Sequence, residues 1–346
     1  MITKRGMLLA VCVILALAIL LPACAEPVPT PPQERPQNVE LTILGFLVGT
    51  SSQLRVEAIA EAIRMEYPDW KVASPAAGGE AQEVSRIIAG EADFYISLYP
   101  RPLEIEFQAP LHPEIDYEQA TAYSLVMPSA PRYIHFFARG NTGLSSIREI
   151  VDQKRQLTWG IGAGGSTLLV DKVLEHYGTS WEEAESWGIK RETVYMSAME
   201  GAEALQSGRV DIGLTWAGLP CPAYLGVTFD LKLLPVDDPG LVQMFKELGY
   251  YEATIPAGTY PFVTEDIPTV AETSHLVVKP DLPEDVVYYS LKAIFNHKDI
   301  LFAATPEAEK EITPEAIAAS VARSQETGIP FHPGALRFYR EMGWIK

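Results

Sequence analysis

The 346-residue sequence predicts an α/β fold in two similar halves, each a mixed, mostly parallel sheet flanked by helices, with a cleft between them. Three observations predict it. Runs of strand-like and helix-like periodicity follow the order strand, turn, helix, strand, turn, helix, strand, and that order occurs twice. Each strand-to-helix turn carries Gly, Ser or Thr. In both halves a short helix is followed by the pattern Gly-x-x-Asp-x-x-aliphatic: Gly90-Glu91-Ala92-Asp93-Phe94-Tyr95-Ile96, then Gly208-Arg209-Val210-Asp211-Ile212-Gly213-Leu214. Glycine there suits the left-handed cap of a helix, and the aspartate opens the next strand.

The first half opens with the alternation Val39 to Phe46, read as a strand, and a turn at Val48-Gly49-Thr50-Ser51-Ser52-Gln53. Apolar residues then recur at helical spacing from Leu54 to Met65, with Ser51 or Ser52 as the expected N-cap. A strand from Trp70 to Ser74, a turn at Ala76-Ala77-Gly78-Gly79-Glu80, a helix from Ala81 to Ala89 and a strand from Ala92 to Leu98 follow. Pro100 to Pro131 is a proline-rich mixed stretch, and Arg132 to Arg139 reads as a strand.

The cycle restarts with a strand at Gln156 to Trp159, the turn Gly160 to Thr167 and a helix from Leu168 to Tyr177. Thr193 to Met196 reads as a strand, Ser197 to Gly201 as a turn, Ala202 to Gln206 as a helix and Val210 to Trp216 as the closing strand. Thr254 to Pro261 looks like a rigid connector back to the first half. The tail then offers a strand (Ser274 to Val278), a helix (Pro283 to Asn296) and a terminal helix near Gly334 to Met342.

Residues 1–23 read as an export signal: Lys4 and Arg5, then an apolar run from Met7 to Leu21 of about 15 residues, shorter than the ~20 a spanning helix needs. Small residues before Cys24 resemble a bacterial lipobox, which makes Cys24 the candidate lipid-bearing residue. Residues 24–38 read as an extended tether, of which Ala25 to Gln37 holds five prolines and reaches ~40 Å at ~3.1 Å per residue. The expected division is lobe 1 from 39–139 plus 255–346 and lobe 2 from 140–254. The chain carries 27 Lys and Arg against 45 Asp and Glu, a net charge of −18. Loss of Lys4 and Arg5 with the signal makes it −20, which argues against nucleic acid as a partner. With Cys12 in the signal and Cys24 in the lipobox, Cys221 stands alone, so no disulfide framework is expected.

The chemistry centres on Gly160 to Thr167. By spacing, Gly160-x-Gly162-x-x-Gly165 matches a dinucleotide fingerprint, and by composition Gly164, Gly165 and Ser166 suit a small anion at a helix start. The dinucleotide reading needs an acid closing the next strand some ~20 residues on. That region is instead the polar run Ser180 to Glu185, and the next strand ends at Met196-Ser197. The six histidines show no metal-ligand spacing, so neither metal nor cofactor is expected. The candidate ligand contacts are Thr50, Ser51, Ser52, Gly78, Gly79, Glu80, Gly164, Gly165, Ser166, Thr215, Trp216 and Tyr260. Each has a structural reading beside the functional one: Ser166 as an ordinary cap, Glu80 as a favourable charge at a helix start, Trp216 as core, Tyr260 as a hinge residue. Asp93 and Asp211 are read as structural. A secreted α/β hydrolase using a Ser or Cys nucleophile remains the alternative function, although such an enzyme needs a partnered histidine.

Tyr250-Tyr251-Glu252-Ala253-Thr254-Ile255-Pro256-Ala257-Gly258-Thr259-Tyr260-Pro261 is similar to a signature of the TAXI solute receptors of TRAP transporters. So are Asp266 to Ala271, Asp281 to Tyr288, His332-Pro333-Gly334-Ala335 and Phe338 to Glu341. The resemblance implies a two-lobed type II periplasmic-binding-protein-like fold that closes on a ligand and docks on the membrane subunits of a sodium-coupled permease. It implies a small carboxylate ligand, an amino acid such as glutamate or glutamine or a dicarboxylate, with no chemistry done on it. A monomer is expected, and the export signal with Cys24 points to a lipid-anchored place at the outer face of the cytoplasmic membrane or in the periplasm. The turns depart from the family pattern. Val48-Gly49-Thr50-Ser51 stands for Gly-Gly-Thr-Tyr, Ala77-Gly78-Gly79-Glu80 for Thr-Gly-Gly-Ser, and Ala163-Gly164-Gly165-Ser166 for Gly-Ser-Gly-Thr.

Overall fold

Alternating side chains from Glu40 onward put Leu41 and Ile43 in the core and form β1 (Glu40–Leu44). The computed structural model describes residues 34–48, 50–78, 80–97, 106, 122–162, 165–195, 198–327 and 329–346. The expected export signal, Cys24 and most of the expected tether lie outside the described residues. After β1 come α1 (Ser51–Glu66), β2 (Lys71–Ala73), α2 (Glu80–Ile88) and β3 (Phe94–Ser97). Both β2 and β3 pair parallel with β1. Helix α1 buries Val56, Ala58, Ile59, Ala62 and Ile63. Its cap is Thr50, whose Oγ1 accepts the Gln53 N–H at 3.3 Å, and not Ser51 or Ser52 as the sequence predicts. Thr50 has the extended backbone that a cap requires, whereas Ser51 is already helical.

The second half repeats the plan. After β4 (Ser124–Arg139) and α3 (Arg148–Asp152) come β5 (Thr158–Gly162), α4 (Gly165–His176), α5 (Trp181–Ser186), β6 (Lys190–Tyr195), α6 (Ala198–Ser207) and β7 (Ile212–Ala217). Here β5 is the central strand, parallel to β6 and β7. The glycine run is not one turn, as expected: Gly160, Ile161 and Gly162 continue β5, and α4 starts at Gly165 rather than Leu168. Pairing with β6 carries the strand through Gly162, opposite Tyr195.

The duplication read from the Gly-x-x-Asp pattern is physical. Asp93 Oδ2 accepts the Thr42 N–H at 2.8 Å, and Asp211 Oδ2 accepts the Thr158 N–H at 2.8 Å. Each aspartate thus ties the end of a helix–strand turn to the first strand of its own half. Gly90 and Gly208 precede them with φ of 74° and 75°, the left-handed caps expected.

The chain ends with β8 (Leu231–Leu234), α7 (Pro239–Glu247), β9 (Tyr251–Ile255), β10 (Ile267–Val278), α8 (Glu284–Asn296), α9 (Lys298–Ala304), α10 (Ala308–Glu311), α11 (Pro314–Thr327) and α12 (Pro333–Glu341). The expected connector at Thr254 is the end of β9, which returns antiparallel along β10. The strand order is β2-β1-β3-β10-β4-β7-β5-β6, with β8 on β4 and β9 on β10. Each half is therefore a β-α-β-α-β unit, and β10 and β4 lie between them. One buried core takes Leu125, Val126 and Met127 from β4 and Leu276 to Val278 from β10. Another takes Ile134, Phe136 and Ala138 from β4 and Val270 from β10. Core membership changes over in the middle of both strands.

The run His332-Pro333-Gly334 is explained by packing. The His332 ring accepts the Gly334 N–H at Nδ1 and donates from Nε2 to the Leu282 carbonyl at 2.9 Å, so it caps α12 and ties it to the start of α8. A Cβ on Gly334 would stand 2.2 Å from the Glu284 carbonyl oxygen and 3.0 Å from the Tyr288 nitrogen, both backbone atoms. Gly334→Ala is therefore expected to push α12 off α8 and lower stability by about 1–3 kcal/mol, read by urea unfolding. Wild-type stability in that variant would contradict this packing.

Candidate functional site

Strand register locates the site. β3 ends at Ser97, opposite His275 of β10. β7 ends at Ala217, opposite Tyr133 of β4, and Tyr133 lies opposite Ala271 of β10. The parallel strands of the two halves run in opposite senses, so both sets of carboxyl-terminal ends point at the same stretch: Pro128 to Tyr133 of β4 with Ala271 to His275 of β10. Four residues of strand separate the two endpoints, ~13 Å. In α/β sheets the carboxyl ends of parallel strands are where ligands bind.

Two helix starts at equivalent positions after the central strands, α1 after β1 and α4 after β5, carry the polar groups. Ser52 Oγ in the first turn of α1 is buried and has no hydrogen-bond partner among the described residues. So is Ser166 Oγ in the first turn of α4, a residue only 5% exposed. Buried hydroxyls are nearly always satisfied, so an orphan at each equivalent position calls for a ligand or water. Beside Ser52, Gln53 Oε1 is also buried without a partner, while its Nε2 donates to Glu57 and to the Ser74 carbonyl. The free N–H groups of helix starts favour an anion.

The other expected contacts divide. Ser51 is exposed, and the Thr50 hydroxyl is engaged in capping and in donating to the Leu47 carbonyl at 2.7 Å. Gly78 precedes α2, Glu80 begins it, and Gly165 begins α4. Gly79, Gly164 and the Glu80 side chain lie outside the described residues. The Thr215 hydroxyl meets Tyr224 OH at 3.1 Å, and Trp216 Nε1 donates to Tyr250 OH at 2.9 Å. Tyr260 is 1% exposed. Its hydroxyl accepts the Cys221 N–H at 2.9 Å and lies 2.9 Å from His135 Nε2.

His135, which sequence reasoning passed over, anchors that network. Its Nδ1 lies 2.9 Å from the Tyr133 carbonyl, so Nδ1 carries the proton and Nε2 accepts from Tyr260 OH. Burial lowers its pKa to about 4 and pushes the Tyr260 hydroxyl and the Cys221 thiol up. Cys221 is thus a buried neutral thiol, not an activated nucleophile. In the convergence stretch itself, Glu272 of β10 is 2% exposed and paired with Arg132 of β4. Burial pushes the Glu272 carboxyl up, and the guanidinium beside it opposes that. Among the described residues no group of three His, Cys, Asp or Glu is placed to hold a metal. A cavity of about 500 Å³ between α7 and β9, lined by Lys246, Glu252 and Thr254, contains none of the expected ligand contacts.

The His135 burial sets a pH dependence. The unfolded chain binds a proton on this ring near pH 6.5, the folded protein only near pH 4. Its contribution to stability is complete above pH 6.5 and falls as the pH drops from 6.5 to 4, by up to about 3 kcal/mol. His275, also lowered to about 4 by burial, acts in the same direction. Replacing His135 by Gln should shrink the fall in unfolding free energy between pH 7 and pH 5; an undiminished fall would refute the assignment.

Among solved structures, a TctC solute binding protein from Polaromonas is similar at 16% identity and a TM-score of 0.49, covering 88% of this chain and 97% of that one. The periplasmic binding protein BugD is similar at 13% identity and a TM-score of 0.42, over 85% and 98% of the two chains. PhnD1 from Prochlorococcus marinus, solved with methylphosphonate, shares 16% identity at a TM-score of 0.46, over 76% and 90%. The model of the NMT1-like family matches residues 54–343, and the chain belongs to that family.

Proposed function

We propose that the protein is an extracytoplasmic solute receptor of the TAXI type, which captures a small carboxylate and delivers it to the membrane subunits of a TRAP permease. The observation that carries the ligand reading is the pair of buried, unpartnered hydroxyls, Ser52 and Ser166, at equivalent helix starts of the two halves. In this reading Ser52 and the α1 start grip the anion from one lobe, and Gly164, Gly165 and Ser166 grip it from the other. Gly78 and Gly79 let the chain approach, and Glu80 meets the ammonium of an amino-acid ligand. Thr215, Trp216 and Tyr260 shape the wall through their partners Tyr224, Tyr250 and His135. Closure is favoured because only the closed form completes both sets of contacts.

The sequence supports the rest of the proposal. The signal at 1–23, Cys24 and the tether at 24–38 fit a monomeric body held outside the membrane by a lipid. The lobes, 39–139 plus 255–346 and 140–254 by sequence, hinge in this reading within β4 and β10, where core membership changes over. The TAXI and TRAP assignments rest on the resemblance of Tyr250 to Pro261 and of the carboxyl-terminal runs.

A thermal-shift panel of amino acids, dicarboxylates, NAD and ATP tests the reading. Glutamate, glutamine or a dicarboxylate at 100 times its dissociation constant should stabilise the protein by ~2.7 kcal/mol. Ser166→Ala and Ser52→Ala should each weaken that binding about tenfold, the value of one hydrogen bond to a charged group, while leaving the unliganded midpoint nearly unchanged. A shift with nucleotides alone, or full affinity in both variants, sinks the proposal.

A further inference from the structure

A second cavity, of about 350 Å³, opens among the carboxyl-terminal helices and shares no residue with the strand-end site. Three aromatic rings line it. Phe295 of α8 has its centroid 5.0 Å from that of Phe338 of α12 and 5.3 Å from that of Trp344. Phe338 is buried, and Trp344 and Phe295 are half-buried, so their remaining apolar surface is available to an occupant. Ile312 adds an aliphatic wall.

The charged groups at this cavity point to the class of occupant. Lys292 of α8 and Lys298 of α9 both line it. Neither ammonium is paired with a carboxylate among the described residues. The acid lining the cavity, Glu341, already accepts the hydroxyl proton of Tyr288. Two ammonium groups against one carboxylate leave a net positive charge beside the three rings, a place for one negative charge joined to one flat apolar group.

We infer that this cavity binds a compact aromatic carboxylate. Its ring packs against Phe295, Phe338 and Trp344, in the offset or edge-on contacts that aromatic pairs prefer. Its carboxylate lies between Lys292 and Lys298, where charge-assisted hydrogen bonds are the strong ones. The volume is at the small end for ligand pockets, which suits a single ring with a short acid arm and excludes a long acyl chain. The site is independent of the solute proposed for the strand-end cleft.

Phenylacetate is the probe, titrated by calorimetry into the full chain, with the neutral phenylacetamide as control. Wild type should bind phenylacetate, and phenylacetamide about tenfold more weakly. Lys292→Met with Lys298→Met should weaken phenylacetate by about tenfold or more, and Lys292→Glu with Lys298→Glu should abolish it. Lys298 is exposed, Lys292 is half-buried and neither has an acidic partner among the described residues, so unchanged unfolding midpoints are expected in both double variants. Ser166→Ala should leave the phenylacetate affinity intact. The inference is overturned if phenylacetate gives no heat at millimolar concentration, if the amide binds as well as the acid, or if the lysine variants bind as wild type. It is also overturned if Ser166→Ala, rather than the lysine pair, removes binding.

Discussion

Everything in this molecule hangs on the antiparallel pairing of β4 with β10. These strands carry the chain between its two cores, and they set the direction of the units on either side. β3 joins β10 antiparallel and β7 joins β4 antiparallel, so the two β-α-β-α-β units face each other head on. The convergence of strand ends is a consequence of that pairing. In its middle lies Arg132 against the buried Glu272. Removing one partner of such a pair leaves an uncompensated buried charge, which is far more damaging than the pair is stabilising. Its position at the changeover between cores makes it a fixed point about which the halves are set.

The duplication adds a second constraint. In each half an aspartate accepts a backbone N–H of the central strand, Thr42 of β1 or Thr158 of β5, and a left-handed glycine follows the helix before it. The same local solution places α1 and α4 at equivalent positions, and with them Ser52 and Ser166. A site assembled from two copies of one motif gets its approximate symmetry from the fold. Its asymmetry comes from the side chains: Thr50 caps α1, whereas Thr167 turns its hydroxyl to the Gly162 carbonyl at 2.9 Å.

Much of this was legible in the sequence, because parallel units write their period into apolar spacing and their turns into Gly, Ser and Thr. The length of β4 was not. Pro128 and Pro131 read as a break, since proline cannot donate to a ladder on both sides. In the fold that stretch pairs with β10 alone, β7 beginning its pairing only at Tyr133, so the missing N–H groups cost little. The buried network was hidden for another reason. Tyr260 lies 125 residues from His135 and 39 from Cys221, and no periodicity links residues that far apart. Within the carboxyl-terminal runs, His332, Gly334 and Asp285 take packing roles, Asp285 through Arg337, and hold α12 to α8.

Closure of the two halves on a ligand, as proposed above, is open to direct measurement. Nitroxides at Val48 and Met199 would report on it. Val48 is 84% exposed in the turn before α1, and Met199 is 56% exposed in the first turn of α6. Pulsed electron paramagnetic resonance on the doubly labelled protein, with and without the carboxylate found by the binding panel, measures the distance across the crevice. A shorter and narrower distance distribution is expected with ligand bound. An identical distribution in both states, at saturating ligand, would contradict it.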